Sequence, residues 1–566
     1  MVDLKAKPYF LSDEQVKWVE DTIASMTEEE KVGQLFVNMV TDRDPEALKK
    51  VLDQYHVGAI RYHNVSPEEL YAQNKTMQDH TRIPLLIAAN CEAGGNGGVN
   101  GGTPVAFGAA VAAADSEEAA YEAGRIGALE SSAIGCNWTF APIVDLLYNW
   151  RNTIVQLRAY NHNPDDVIRY AKAYMKGTRT QNMATCMKHF PGDGTEENDQ
   201  HLIMGINDMS CEGWDETFGK VYRELIDEGV MTVMAGHIAL PAYQKKLNPD
   251  TRDEDVMPAT LCPELITGLL KGKLGFNGLV VTDASHMIGM FGATVPRSAQ
   301  VPGAIAAGCD MFLFFNDREE DFNYMLEGYR NGVITEERMN DALHRILGLK
   351  AALNLHELQK DGALLPPPEN LKVIGCPEHR EISAKMADAY VTLVKDTKKN
   401  LPMTPARYPR LKLMFIGGEG TVIAGKLTKG NDEEIKAEVI RQLEEAGFQV
   451  DAEDMAVKGK IEEFKKNYDA VLLVLNVAGF AQFNTMRVKW QLPTQQPWYM
   501  SEVPTIVLNL SFPNMLIDVP MAKTYINAYM NHPEAIHAAL EKMMGQSEFK
   551  GRADENVFCG RWEAKL

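Results

Sequence analysis

GFNGLVVTDAS, residues 275–285, is a glycine-bounded run of aliphatic residues that ends on a carboxylate, Asp283. It is continuously apolar rather than alternating, the pattern of a strand buried on both faces, as in parallel sheets. A side chain at the C-terminal end of such a strand is held rigidly. There Asp283 reads either as a cap for the next helix or as a carboxylate poised to attack a substrate atom.

Working outward, the same texture recurs at Leu35–Val40, Gly58–Tyr62, Leu85–Ala89, Asn137–Ala141, Thr185–His189, Thr232–Ala235 and Met311–Phe315. Amphipathic stretches such as Glu117–Ile134, Pro164–Gln181 and Pro263–Lys271 lie between them. Strands alternating with helices pair in parallel through right-handed crossovers, and eight such units predict a (β/α)8 barrel over residues 1–355. After the helical run Thr335–Leu353 the chain turns polar and then Pro-rich, which predicts a linker over 356–385. Beyond it, strand-like runs Lys412–Gly417, Ala470–Asn476, Thr505–Leu510 and Thr524–Ala528 alternate with helical Glu433–Ala446 and Pro533–Met544. Residues 386–566 are therefore expected to form a smaller α/β sandwich domain.

At 566 residues, two or three domains are the prior; 45% hydrophobic and 24% charged residues describe an ordinary globular composition. A net charge of −21 disfavours nucleic acid or an anionic membrane as partner, since either selects a basic face. The eight cysteines are scattered singly, without a CxxC pair, so free thiols in a reducing compartment are expected. The opening MVDLKAKPYFLSDEQVKW has no apolar signal core, and no run approaches the roughly 18 apolar residues of a membrane span. The expectation is cytoplasmic, and the sequence assigns no oligomeric state.

Reactive groups of a parallel barrel project from the C-terminal strand ends. Those ends carry Asn90 to Gly95 after the third strand, Lys188 to Gly194 after the fifth, His237 after the sixth, and Asp283 to Met287 after the seventh. Carboxylates, imidazoles, an amide and a lysine on one rim suit a ligand rich in hydroxyls. Asp199-Gln200-His201 falls in a Gly-rich polar segment that predicts a loop. Asp and His two apart can hydrogen-bond, which fixes the imidazole tautomer and favours a general acid/base, although a solvated loop with incidental charge has the same composition. No HExxH or comparable spacing supports a metal, and Gly94-Gly95-Asn96-Gly97-Gly98 lacks the pattern of a phosphate loop, so no cofactor is called for. Trp138 and Phe140 read as core.

KVGQLF at 31–36, GAIRYH at 58–63, RNTIVQLRAY at 151–160, KHFPGDG at 188–194 and GFNGLVVTDAS at 275–285, in that order and spacing, resemble glycoside hydrolase family 3. The C-terminal part, including ADAYVTLVKDTKKNLP at 387–402, resembles that family's second domain. The resemblance implies that Asp283 is the nucleophile. KHFPG-x-G followed by Asp-x-His is similar to the β-N-acetylglucosaminidase branch, which implies an Asp199–His201 acid/base pair and sugar contacts from Arg158, Lys188, His189 and Met287. Three positions depart from the family: Asn90 stands where an aspartate is usual, Gly95 where an arginine is often found, and Asp193 where this branch carries histidine. Asn90 inherits the sugar-holding position.

The expectation is a retaining, exo-acting β-N-acetylhexosaminidase on a small carbohydrate, needing no cofactor. The alternatives are phosphorolysis of the same bond, a β-glucosidase-type activity, and a non-catalytic sugar-binding protein.

Overall fold

The structure is a computed structural model that describes residues 2–566 apart from 292–294, 419–420, 424–425, 429, 454–459, 478–484 and 491–494. It divides into two compact units. One comprises Met1–Pro104, Ala120–Leu146 and His162–His379; the other comprises Val105–Ala119, Leu147–Asn161 and Arg380–Leu566. Two excursions, 105–119 and 147–161, thus belong with the C-terminal unit although in sequence they fall inside the barrel segment. The expected linker holds helix Leu355–Lys360, a 3-10 turn at Pro368–Val373 and the start of helix Pro377–Tyr390.

The first unit is a closed barrel of eight parallel strands in chain order: Phe36–Val40, Ala59–Tyr62, Leu86–Ala89, Trp138–Thr139, Ala184–Phe190, Thr232–Ala235, Leu279–Ala284 and Met311–Leu313. All eight expected strands are present. The seventh is buried at every position, as its unbroken apolar run requires. Trp138 is fully buried, donates from Nε1 to Thr232 Oγ1 at 2.9 Å and packs edge-on to Phe140, so both residues belong to the core.

The following helices are punctuated by their caps. Ser12, Thr27 and Ser66 each form a reciprocal capping box with the residue three along. The amphipathic segment expected at Pro263–Lys271 forms a helix of π type, Glu264–Lys273.

Beside the start of the eighth strand, the buried Asp310 accepts from Val280 N at 2.8 Å and pairs with Lys271 at 2.9 Å and with Arg338. Arg338 and Arg345 continue the network to Asp341 at 2.7 and 2.9 Å. Removing the central anion leaves the three cations Lys271, Arg338 and Arg345 with Asp341 alone to balance them. Asp310→Ala should therefore lower stability by about 3–5 kcal/mol in urea denaturation; a loss under about 1 kcal/mol would mean the network is solvated.

The second unit centres on a six-stranded mixed sheet. Parallel strands Arg410–Gly417, Gln449–Asp451, Ala470–Asn476, Thr505–Asn509 and Thr524–Asn527 are flanked by the antiparallel Thr392–Asp396. This last strand and Gln449–Asp451 are short and partly polar, and the hydrophobic pattern alone does not mark them.

Candidate active site

Asp283 stands next to last in the seventh strand. It is 8% exposed, and its Oδ1 accepts from the Ala284 amide at 2.7 Å. Its Oδ2 lies 4.0 Å from His189 Nε2. Burial pushes this carboxyl up, but His189, His237, His201 and the Ala284 amide together bring it below its ordinary 3.8. The group is held as a carboxylate.

His189 comes from the fifth strand and is oriented by Asp145, a residue the sequence reading passed over. Asp145 Oδ2 takes the proton of His189 Nδ1 at 2.7 Å, while its Oδ1 accepts from the amides of His189 and Asp193 at 3.0 and 2.8 Å. An aspartate oxygen can only accept here, so Nδ1 carries the hydrogen and Nε2 faces Asp283. Burial raises the Asp145 carboxyl, and the His189 charge and these hydrogen bonds draw it down further, to a net lowering. The fourth strand is only two residues long and Asp145 lies six past its end, so spacing from a strand end does not reveal it. Lys188, 3% exposed, pairs with Glu92 at 2.8 Å. A buried lysine so paired is a fixed cationic donor.

The Asp199–His201 pair forms as the spacing suggests. Asp199 Oδ1 accepts from His201 Nδ1 at 2.6 Å and from its backbone amide at 2.9 Å. Asp199 is buried while the imidazole keeps 23% of its side-chain surface. With Nδ1 committed to the carboxylate, Nε2 is the atom left to give or take a proton.

This loop is stitched directly to the short helix Ile288–Phe291 that follows the seventh strand. Ile288 and Gly289 donate from their amides to the carbonyls of His201 and Gln200 at 3.0 and 3.1 Å, and Gln200 Oε1 accepts from His237 N at 2.8 Å. His237, fully buried, donates from Nε2 to the Ala284 carbonyl at 2.9 Å and meets Thr260 Oγ1 through Nδ1 at 3.0 Å. Burial lowers its pKa, favouring the neutral ring. The close approach depends on Gly289: a Cβ there would sit 2.5 Å from Gln200 O and 2.9 Å from His237 Cβ. Gly289→Ala must separate the two loops, at a cost of about 1–3 kcal/mol. We expect a lower melting temperature together with at least a tenfold loss of kcat; unchanged kinetics would show that the stitching does not set the geometry.

Of the other expected site residues, Asn90 is half-buried just past the third strand, and Met287 is 2% exposed, packed in the barrel core with its amide on Ala284 O at 3.0 Å. Arg158 is 9% exposed, donates to Ile154 O at 3.3 Å and belongs to the second unit. Gly95 has no room for a side chain, since a Cβ there would overlap the buried Glu130 carboxylate at 1.8 Å. Glu130 is itself engaged by Thr103, Gly375 and His379. Asp193 keeps its place in the Asp145 network through its amide.

Among the described residues no cluster of three or more His, Cys, Asp or Glu side chains is arranged to hold a metal, and no helix is long and apolar enough to cross a membrane. All eight cysteines are free thiols.

A carboxylate fixed at a strand end, a carboxylate-oriented imidazole on an adjoining loop, and buried Lys and His donors can together support nucleophilic displacement with proton transfer. Comparison with known proteins gives this arrangement a family. Residues 27–349 match the model described as Glycosyl hydrolase family 3 N terminal domain. Over all of both chains, the sequence is 38% identical to the Beta-N-acetylglucosaminidase/beta-glucosidase of Cellulomonas fimi. It is 34% identical over 212 residues to the Beta-hexosaminidase of Chromobacterium violaceum, covering 37% of this chain and 55% of that one. Among solved structures, Beta-glucoside phosphorylase BglX superposes with a TM-score of 0.92 at 37% identity, covering 99% of each chain. A family 3 beta-N-acetylglucosaminidase from Paenibacillus sp. superposes at 0.78 with 25% identity, covering 94% of this chain and 98% of that one.

Proposed function

The chain belongs to glycosyl hydrolase family 3 and is a glycosidase, and from that premise we propose that it removes terminal β-linked N-acetylglucosamine, and glucose, by double displacement through Asp283. The observation that carries this reading is a buried carboxylate at the end of the seventh strand together with a carboxylate-oriented imidazole on the loop joined to it. Asp283 is held ionised by surrounding imidazoles, while His201 is held by Asp199 with Nε2 free.

In the first step Asp283 attacks the anomeric carbon from the α face. The bond to the leaving oxygen breaks as His201 Nε2 delivers its proton to that oxygen. In the second step the neutral imidazole takes a proton from the acceptor, which attacks the same carbon from the β face and frees Asp283. The β configuration is kept. Asn90, Lys188 and His189 hold the ring hydroxyls, and the ion pair of Lys188 with Glu92 orients its ammonium for that purpose.

Phosphate in place of water is a second reading, favoured by a specific feature. An imidazole neutral after the first step repels an anionic acceptor less than a carboxylate would, and the full-length structural similarity extends to a β-glucoside phosphorylase. Release of nitrophenol from β-GlcNAc and β-glucoside substrates, with and without phosphate, separates the two. Hydrolysis indifferent to phosphate supports a hydrolase. Acceleration by phosphate with a sugar 1-phosphate as product makes it a phosphorylase, and no turnover of either glycoside overturns both.

The low Asp283 value has a pH consequence. Because the folded value lies below 3.8, this carboxylate's contribution to stability is full above that pH and is lost only as pH falls through the folded value. Inactivation by a 2-deoxy-2-fluoroglycosyl fluoride needs an ionised nucleophile and little acid assistance. Its rate should therefore decline on acidification with a midpoint below pH 3.8 in the folded enzyme; a decline centred above pH 5 would mean that the carboxyl is raised instead.

A further inference from the structure

The glycine-rich stretch Gly94-Gly95-Asn96-Gly97-Gly98 is no phosphate loop, and its packing gives it another use. It leaves the third strand just after Asn90 and Glu92 and folds straight back. The Gly95 amide donates to Thr103 O at 2.9 Å, and a Cβ on Gly97 would sit 1.7 Å from Asn90 O. Only a residue without a side chain can lie so close to that carbonyl. The corner is braced from outside as well. Cys91 Sγ lies 3.0 Å from Ser131 Oγ, and the Tyr174 hydroxyl donates to Cys91 O at 2.7 Å.

The returning end of the loop is anchored by Glu130, a fully buried residue of helix Glu117–Ser132. Its Oε2 accepts from Thr103 N at 2.7 Å. Its Oε1 accepts from Thr103 Oγ1 at 2.7 Å, Gly375 N at 3.0 Å and His379 Nδ1 at 2.6 Å. Both oxygens take a backbone amide, which can only donate, so His379 carries its hydrogen on Nδ1. Thr103 belongs to the loop, whereas Gly375 and His379 come from the linker. Gly95 makes this junction possible, because a Cβ there would overlap Glu130 Oε2. One carboxylate therefore ties the linker to the loop that lies against Asn90.

We propose that Glu130, held by His379, is a positioning residue for sugar binding. Through the loop it fixes the corner from Asn90 to Glu92, and Glu92 in turn holds the Lys188 ammonium at 2.8 Å. Glu130 touches no substrate. It acts on KM rather than kcat, because Asp283 and His201 are held by other elements, the seventh strand and the Asp199 loop. The proposal rests on the reading in which Asn90 and Lys188 hold ring hydroxyls.

Steady-state kinetics of the full chain on a nitrophenyl β-glycoside, paired with thermal melts, test it. In Glu130→Gln the amide oxygen can still serve the three donors at Oε1. Its NH2 then meets the Thr103 amide, donor against donor, and the loop end is released. KM should rise about tenfold with kcat kept within about twofold. Thr103→Val, which deletes the hydroxyl donor alone, should raise KM by less. His379→Ala should raise KM too, and His379→Asn, whose amide nitrogen can stand in for Nδ1, should restore most of it. Lys188→Ala tests the sugar contact itself. A lower melting temperature with unchanged KM in Glu130→Gln, beside a raised KM in Lys188→Ala, would make the cluster a structural clamp alone and overturn the proposal. An unchanged KM in Lys188→Ala would instead withdraw the sugar contact, and the positioning role with it. Should Glu130→Gln not fold, Thr103→Val and the two His379 variants decide on the same terms.

Discussion

Asp283→Ala should lower kcat by about 10⁴–10⁶-fold, the scale on which loss of an attacking group is felt in covalent catalysis. KM should change far less, because Lys188 and His189, the donors proposed to hold the sugar, keep their partners Glu92 and Asp145. The variant also leaves a space on the α face of the anomeric carbon. Added azide should enter it and release an α-glycosyl azide, restoring part of the rate from a β-glycoside. Without rescue, or with a loss below about tenfold, Asp283 would revert to a strand-end carboxylate that caps the following helix. A β-azide would place the missing group on the other side of the reaction.

His201→Ala should divide substrates by their leaving groups. For an alkyl or sugar aglycon, whose departing oxygen needs a proton, kcat should fall by about 10²–10⁴-fold. A dinitrophenyl glycoside leaves as a stable anion, so its first step should be nearly untouched and the glycosyl-enzyme should accumulate. Azide then attacks that intermediate without general-base help, and the product is the β-glycosyl azide. Asp199→Asn should show the same pattern more weakly, since the amide cannot hold Nδ1–H as an ionic acceptor does. Equal losses across all leaving groups would mean that the loop positions substrate and that another side chain gives the proton.

The barrel was legible because a buried parallel strand writes itself as a continuous apolar run, and Leu279–Ala284 and Thr232–Ala235 are such runs. The Asp199–His201 pair was legible because the two residues are nearly adjacent in sequence. Asp145 was not: it acts on His189 across 44 positions, and nothing local to it announces that partner. The Lys188–Glu92 pair and the Gly289 contact with Gln200 are likewise products of tertiary approach. The assignment of 105–119 and 147–161 to the second unit also escapes a linear reading, since excursions from a barrel carry no composition break at their ends. Strand Thr392–Asp396 was missed because it is half-exposed at a sheet edge and lacks the apolar run.

The central claim is that a covalent glycosyl-enzyme forms on Asp283. Incubation with 2-deoxy-2-fluoro-β-glucosyl fluoride, followed by proteolysis and mass spectrometry, tests it most directly. The account predicts one sugar per chain, attached to the peptide that contains GFNGLVVTDAS and localised to Asp283, with the label lost faster when phosphate or a sugar acceptor is added. A label on any other residue, or turnover of β-glycosides by an enzyme that the reagent never labels, would contradict it.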